Sequence, residues 1–371
     1  MKLSLALGML STVGMVDAFS AQRALAPRGN SQLNMATAGS LGCRPIGIGS
    51  AAPKTIITNS DLEDVVETSD EWISTRTGIS QRRVLQHEES IKELGIDAGK
   101  QALEMAGTDP EDIDLVICAT SSSDDLFGDA TSIAAALGCK NAMGFDLTAA
   151  CSGFLFASVT AGQFLNNPSN MKNALVVGAD ALSRWVDWDD RNSCILFGDG
   201  AGAMVLTKDE GSHGVLGYSA HSRGEGYDEL NLGYCGSPRM VATPGDGTTL
   251  SDGSYQKIAM NGKEVYKFAT REVPRVLTEA IEAADITVDD VDWLLLHQAN
   301  IRIMETVASR LGMPMEKVLT NLADYGNTSA ASIPIALDEA VRSGKVKKGD
   351  VIACAGFGAG LSWGSAILRW G

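Results

Sequence analysis

A chain of 371 residues, 44% hydrophobic and 20% charged, has material for two domain-sized units with large cores. Its formal charge of −16 leaves no basic field for a nucleic-acid backbone, although a small basic patch could still hold an acidic partner. The seven cysteines are scattered, odd in number and without a C-x-x-C pair, which argues against a disulfide framework or a zinc site and for a reducing compartment.

Residues 1–37 do not read as part of the fold. Met1-Lys2 opens an apolar run from Leu3 to Met15, long enough for a signal-peptide core and too short to span a bilayer. After Ala18-Phe19-Ser20-Ala21 comes a stretch with Arg23 and Arg28 and no acid before Asp61. The pair of signals resembles a bipartite plastid presequence, so the mature chain is expected in a plastid stroma, with no membrane span.

From Ala38 the pattern becomes α/β. Arg44 to Ala52 predicts a first strand, and Asn59-Ser60-Asp61 and Thr68-Ser69-Asp70-Glu71-Trp72 are capped helix starts. Residues 90–106 predict an amphipathic helix and Leu115 to Thr120 a buried strand. In Asn141 to Ala157 a strand ending at Leu147 breaks at Thr148-Ala149-Ala150, and a helix-compatible run begins at Cys151-Ser152-Gly153. A cysteine at a helix start meets unpaired N–H groups and the helix dipole, a setting that lowers a thiol pKa from about 8.5 to roughly 3.5–7.5. Taken alone, Cys151 could equally be a small buried hydrophobe.

A weak internal repeat follows. Ala102-Leu103-Glu104-Met105-Ala106 and the strand after Asp112 match Ala280-Ile281-Glu282-Ala283-Ala284 and the strand after Asp290 at one constant offset. A small-residue elbow comes next in each copy, at Ala150-Cys151-Ser152-Gly153 and Asn327-Thr328-Ser329-Ala330, and then an apolar strand. The repeat predicts an N-terminal half over 38–211 and a C-terminal half over 212–371, sharing one site. Residues 222–258, rich in Gly, Ser, Thr and Pro, read as a loop insertion.

The second half carries three further chemical signals. His297 follows the buried run Leu294-Leu295-Leu296, a favoured place for chemistry in open α/β sheets and also for an ordinary core histidine. Asn327 stands on a glycine turn before a helix, where a simple N-cap is the plain alternative. Gly356-Phe357-Gly358-Ala359-Gly360 could offer backbone N–H groups to an oxyanion, whereas Gly198-Asp199-Gly200 reads as packing.

Together, Thr-Ala-Ala-Cys-Ser-Gly at Cys151, His-Gln-Ala-Asn at His297, Gly-Asn-Thr-Ser at Asn327 and the terminal Gly-Phe-Gly-Ala-Gly resemble the β-ketoacyl-acyl-carrier-protein synthase III family of the thiolase superfamily. Thr68-Ser69-Asp70-Glu71-Trp72-Ile73 with Arg76-Thr77-Gly78-Ile79 matches its N-terminal signature, so the resemblance covers nearly everything after residue 40. It implies a thiolase-like fold, two duplicated α/β halves in a layered α-β-α-β-α core. It also implies acyl transfer from acetyl-CoA or another short acyl-CoA to Cys151, then decarboxylative condensation with malonyl-acyl-carrier protein. Neither a cofactor nor a metal is implied.

By the same resemblance His297 and Asn327 stabilise the enolate, and the backbone N–H groups of Cys151 and Ala359 form a second oxyanion hole. Trp72 and Arg191 should flank the CoA adenine, with Arg76 near its phosphates and Asn300 on the pantetheine arm. Gln298, Ala299, Asn300, Ile301 and Arg302 are similar to the family's carrier-protein contact, which Lys263 and Lys267 could extend; Lys263 stands where many relatives have Asn. Phe127 is similar to a residue that a partner subunit inserts into the acyl pocket of a homodimer, the alternative being a core aromatic. Two other functions are compatible with the residues, a condensing enzyme of polyketide or other specialised metabolism and a non-catalytic acyl-CoA- or carrier-binding relative.

Overall fold

The computed structural model describes residues 36–166, 170–209, 211, 214–241 and 247–371. The expected leader lies outside the described residues as far as residue 35. Residues 36 and 37, counted with it from sequence, belong instead to a short strand, Ala36–Ala38, that pairs antiparallel with Tyr218 to Ala220.

The elements that position the site follow one another twice in the same order. The first set is β1 (Cys43–Ala51), α1 (Ile91–Ala106), β2 (Leu115–Ala119), α2 (Ala130–Leu137), β3 (Met143–Leu147), α3 (Gly153–Asn166), β4 (Asn173–Ala181) and β5 (Asp199–Lys208). The second is β6 (Val215–Ser222), α4 (Gly262–Ala283), β7 (Trp293–Leu296), α5 (Ile301–Leu311), β8 (Val318–Leu319), α6 (Ser332–Arg342), β9 (Val351–Gly358) and β10 (Ser362–Arg369). Strand orders match too, β1-β5-β4-β2-β3 in one sheet and β6-β10-β9-β7-β8 in the other, with Ala36–Ala38 added at the β6 edge. In each set, the second, third and fourth strands pair in parallel and the closing strand runs against them.

Side-chain alternation sets the layers. Leu115, Ile117 and Ala119 of β2 point into a core shared with Phe154, Leu155 and Ala161 of α3 and with Ile333 and Leu337 of α6. Val116 and Cys118 point the other way, to α1 and α2. On β7, Leu295 faces the shared core, while Leu294 and Leu296 face α4 and α5. Strands buried on both faces read as continuous apolar runs, and period two then assigns each residue to one of two cores. The result is five layers, α-β-α-β-α, with α3 and α6 sandwiched between the sheets.

The 222–258 segment is not a plain loop. Ser237–Val241 pairs antiparallel with Thr248–Asp252, and Leu230–Asn231 pairs with Ala259–Met260. The hairpin was invisible to periodicity because the described side chains of Ser237–Val241 are all exposed, so no buried face marks it in the sequence. Among the described residues, no helix is long and apolar enough to cross a membrane.

Candidate active site

Each half bends sharply between its third strand and its sandwiched helix. Ala150 and Ser329 take the left-handed conformation, with φ of 48° and 51°, and each opens a single 3-10 turn before α3 or α6. Such a φ is strained for a residue with a side chain and persists only where the surroundings enforce it. The enforcement is reciprocal. The first elbow lies on β9, where a Cβ on Gly356 would be 3.3 Å from the Cys151 oxygen, and the second lies on β4, where one on Gly178 would be 2.5 Å from the Ala330 oxygen. The two elbow turns, Ala150–Ser152 and Ser329–Ala331, far apart in the chain, therefore meet at the interface of the two halves.

Cys151 opens onto a cavity of about 740 Å³ that also reaches Ser329, Phe197, Leu182 and Ala359. Its backbone nitrogen faces Gly358, where a Cβ would stand 2.6 Å away. Burial pushes the thiol up to about 12; a hydrogen bond from Ser329 opposes the rise and the Asp180 charge adds to it. The lowered pKa expected from a helix start is therefore not found in the resting site. The helix field is present, but removal from water penalises the thiolate more.

His297 and Asn327 are 2% and 7% exposed and are not among the residues that line this cavity. The His297 ring packs edge-on against Phe357, centroids 5.4 Å apart, and its Nδ1 lies 2.7 Å from the Ser332 hydroxyl at the start of α6. The Gln298 N–H reaches the same hydroxyl oxygen at 3.4 Å, and that oxygen can donate to Nδ1 or accept from it, so the contact fits either ring tautomer. Burial pulls the imidazole down to about 3 from an ordinary 6.5, so the ring is neutral. The unfolded chain takes up this proton below about 6.5 and the folded one only near 3. Folding stability should thus fall as pH drops through that window, by up to about 1.4 kcal/mol per pH unit. His297→Gln should flatten the acid limb in urea unfolding between about pH 6 and 4, and an unchanged slope would show the folded ring to be charged.

Asn327 is locked at its backbone, its N–H donating to the Leu196 oxygen at 2.8 Å and its oxygen accepting from the Gly198 N–H at 3.0 Å. Its Oδ1 accepts the Ser329 N–H at 2.9 Å, which leaves the amide NH2 as the free end. Motif reading found Asn327 and His297 but not Ser329, Ser332 or Asp180, because nothing local distinguishes those hydroxyls or that carboxylate from N-caps and core polar groups. The insertion supplies Tyr227, Leu230, Leu232, Tyr255 and Ile258 to the cavity wall, also unforeseen. Apolar residues in a Gly-rich stretch were the available signal.

A second cleft, of about 430 Å³, is lined by Trp72, Arg76 and Arg302 with Ser69, Glu71 and Thr75. The guanidinium carbons of Arg76 and Arg191 each lie 4.6 Å from the Trp72 ring centre. Arg191 is thus stacked on the indole directly, and a purine between them would have to move it. Asn300 caps α5, accepting from the Arg302 N–H at 2.9 Å, and donates to the Arg76 oxygen at 3.1 Å. Arg302 in turn donates to the Thr75 oxygen at 2.9 Å. Ala299 and Ile301 are half-buried. Gln298 must be withdrawn from the carrier-protein surface. It is 1% exposed, and its amide is used on the Leu296 and Leu319 oxygens and the Asn321 N–H. Lys267 is paired with Glu264 at 2.6 Å. Phe127 is no core residue: at 98% exposure it stands clear of the surface beside Leu126, which borders the large cavity.

Sequence profiles described as "3-Oxoacyl-[acyl-carrier-protein (ACP)] synthase III" and its "C terminal" part match residues 145–224 and 281–370. The "Beta-ketoacyl-[acyl-carrier-protein] synthase III" of the cyanobacterium Trichormus variabilis is 55% identical over 331 residues, 89% of this chain and 99% of the relative. Among solved structures, the 3-oxoacyl-[acyl-carrier-protein] synthase III of Aquifex aeolicus superposes with a TM-score of 0.81 at 42% identity, covering 89% of this chain and all of that one. The corresponding synthase of Thermus thermophilus gives 0.80 at 40% identity, covering 88% and 99%.

Proposed function

The chain belongs to the β-ketoacyl-[acyl-carrier-protein] synthase III family, and on that premise we propose that it is the acyltransferase that starts fatty-acid chains, joining a short acyl group from acyl-CoA to malonyl-acyl-carrier protein. The Cys151 sulfur attacks the acyl-CoA carbonyl, and the tetrahedral oxyanion takes hydrogen bonds from the Cys151 and Ala359 N–H groups. The CoA sulfur leaves and ends with the proton the thiol gave up. Malonyl-acyl-carrier protein then loses CO₂, and the charge that develops on its thioester oxygen is held by His297 Nε2–H and the Asn327 NH2. The enolate carbon attacks the acyl-cysteine, and collapse frees the β-ketoacyl product and the Cys151 thiolate, which takes a proton from solvent to restore the thiol. Both substrates are thioesters, and the scheme uses no cofactor. The observation that supports it is the meeting of the two elbows, which sets on one cavity a buried thiol and Ser329, whose N–H orients the Asn327 amide.

Incubation with labelled acetyl-CoA tests the first half: an acyl adduct on Cys151 is expected, and its absence would sink the assignment. In the cleft of Trp72, Arg76 and Arg191 the CoA nucleotide binds, with Asn300 toward the pantetheine arm. A stacked indole and guanidinium suit a purine. Trp72→Ala should raise the acyl-CoA KM about tenfold with little change in kcat, as loss of a contact made equally in ground and transition states does.

Arg302, with Ala299, Asn300 and Ile301 around the start of α5, forms the docking point for the acidic carrier protein. Phe127 enters the acyl pocket of a second copy in a homodimer. Both the targeting signals in residues 1–37 and the cyanobacterial relative support a plastid stroma as the place of work. A reporter fused to residues 1–37 that stays in the cytosol would refute that location.

A further inference from the structure

The two halves differ where the elbows cross the strands. Two residues beyond Gly356, β9 carries Gly358, which packs against the Cys151 nitrogen so closely that a Cβ there would stand 2.6 Å from it. Two residues beyond Gly178, β4 carries Asp180. Its carboxylate accepts the N–H of Ala330, the residue that follows the strained Ser329 as Cys151 follows Ala150, at 3.1 Å. The two elbows thus meet different partners at matching places, a bare glycine in one half and a carboxylate in the other.

We propose that Asp180 is a positioning residue for the decarboxylative step, a buried carboxylate that fixes the Asn327 elbow at the place where the Cys151 elbow meets only a glycine. Asp180 is fully buried. Besides Ala330 it accepts the Ser121 N–H and the Ser122 hydroxyl, both at 2.8 Å, and the Thr120 hydroxyl at 3.3 Å. It therefore ties the loop after β2 to the turn whose Ser329 N–H sets the Asn327 side chain. A buried carboxylate with its donors supplied holds its partners rigidly, and a misplaced donor loses most of its value to a developing charge. On the thiol the same charge acts in the opposite sense, since it raises the Cys151 pKa. Removing it should spare or help acyl transfer while it harms condensation.

The inference rests on the roles proposed above for Cys151 and Asn327. Asp180→Asn in the full chain tests it, with acyl-adduct formation from acetyl-CoA and CO₂ release from malonyl-acyl-carrier protein followed on the same sample. CO₂ release should fall about 10–100-fold while adduct formation is not slowed. In an Asn327→Ala background, the same change should add less than about twofold, because it acts through that amide. Equal loss of both steps, or a full further loss in the Asn327→Ala background, would overturn the proposal. If Asp180→Asn does not fold, Ser122→Ala carries the test by removing one donor to the carboxylate. A loss of about threefold confined to CO₂ release is then expected, and no loss would count against it. Wild-type protein without an adduct would refute the proposed function, and this inference with it. A normal adduct with an inert Asp180→Asn would refute the inference alone.

Discussion

Gly358→Ala is expected to abolish acyl transfer to Cys151. The new methyl would stand 2.6 Å from the Cys151 nitrogen, 3.0 Å from the Ala150 Cβ and 3.3 Å from the Cys151 Cβ. None of these is the far end of a flexible side chain. Ala150 is already held at a φ of 48°, so the elbow has no easy way to yield. The methyl therefore crowds the amide proposed to hold the tetrahedral oxyanion, and loss of one such donor lowers kcat by about 10²–10³. Overpacking adds a stability loss of about 1–3 kcal/mol. Intact-mass measurement of the acyl-enzyme, with a thermal melt of the same sample, checks both. Acylation at the wild-type rate would show that the Cys151 N–H is not an oxyanion donor.

Asn327→Asp should separate the two half-reactions. The substitution keeps an oxygen for the Ser329 N–H, so the elbow retains its 2.9 Å contact while the free amide becomes a second oxygen. A carboxylate there repels the enolate that an NH2 would stabilise. CO₂ release should fall by about 10³ or more, with adduct formation on Cys151 kept within about threefold. Asn327→Ala should show the same separation with a smaller loss, about 10²–10³. Equal loss of acylation and decarboxylation in both variants would remove Asn327 from the role given to it.

Much of the molecule was legible before any coordinates. The capped helix start at Ser69, the amphipathic run that became Ile91–Ala106 and the apolar strands were readable because caps and periodicity are local properties of the chain. The repeat at constant offset anticipated two sheets with the same strand order. Cys151, His297 and Asn327 stood out only in combination, since each alone fits a buried thiol, a core histidine or a cap.

What the sequence by itself determined, then, was most of the elements outside the 222–258 segment, their duplication, the family and the residues with chemical potential. The tertiary structure alone decided how those residues are held and in what protonation state. Gln298 sits inside a family motif, yet folding turns its amide inward. Cys151 begins a helix, yet burial between two halves raises its thiol rather than lowering it. Asp180 and Gly358 look unrelated in sequence, and only the crossing of each elbow over the other half's strand makes them counterparts. The reason is physical. Dihedral preference and apolar spacing act over a few residues, whereas dielectric, close approach and hydrogen-bond partners are set by segments well over a hundred residues apart, and those exist only once the layers have packed.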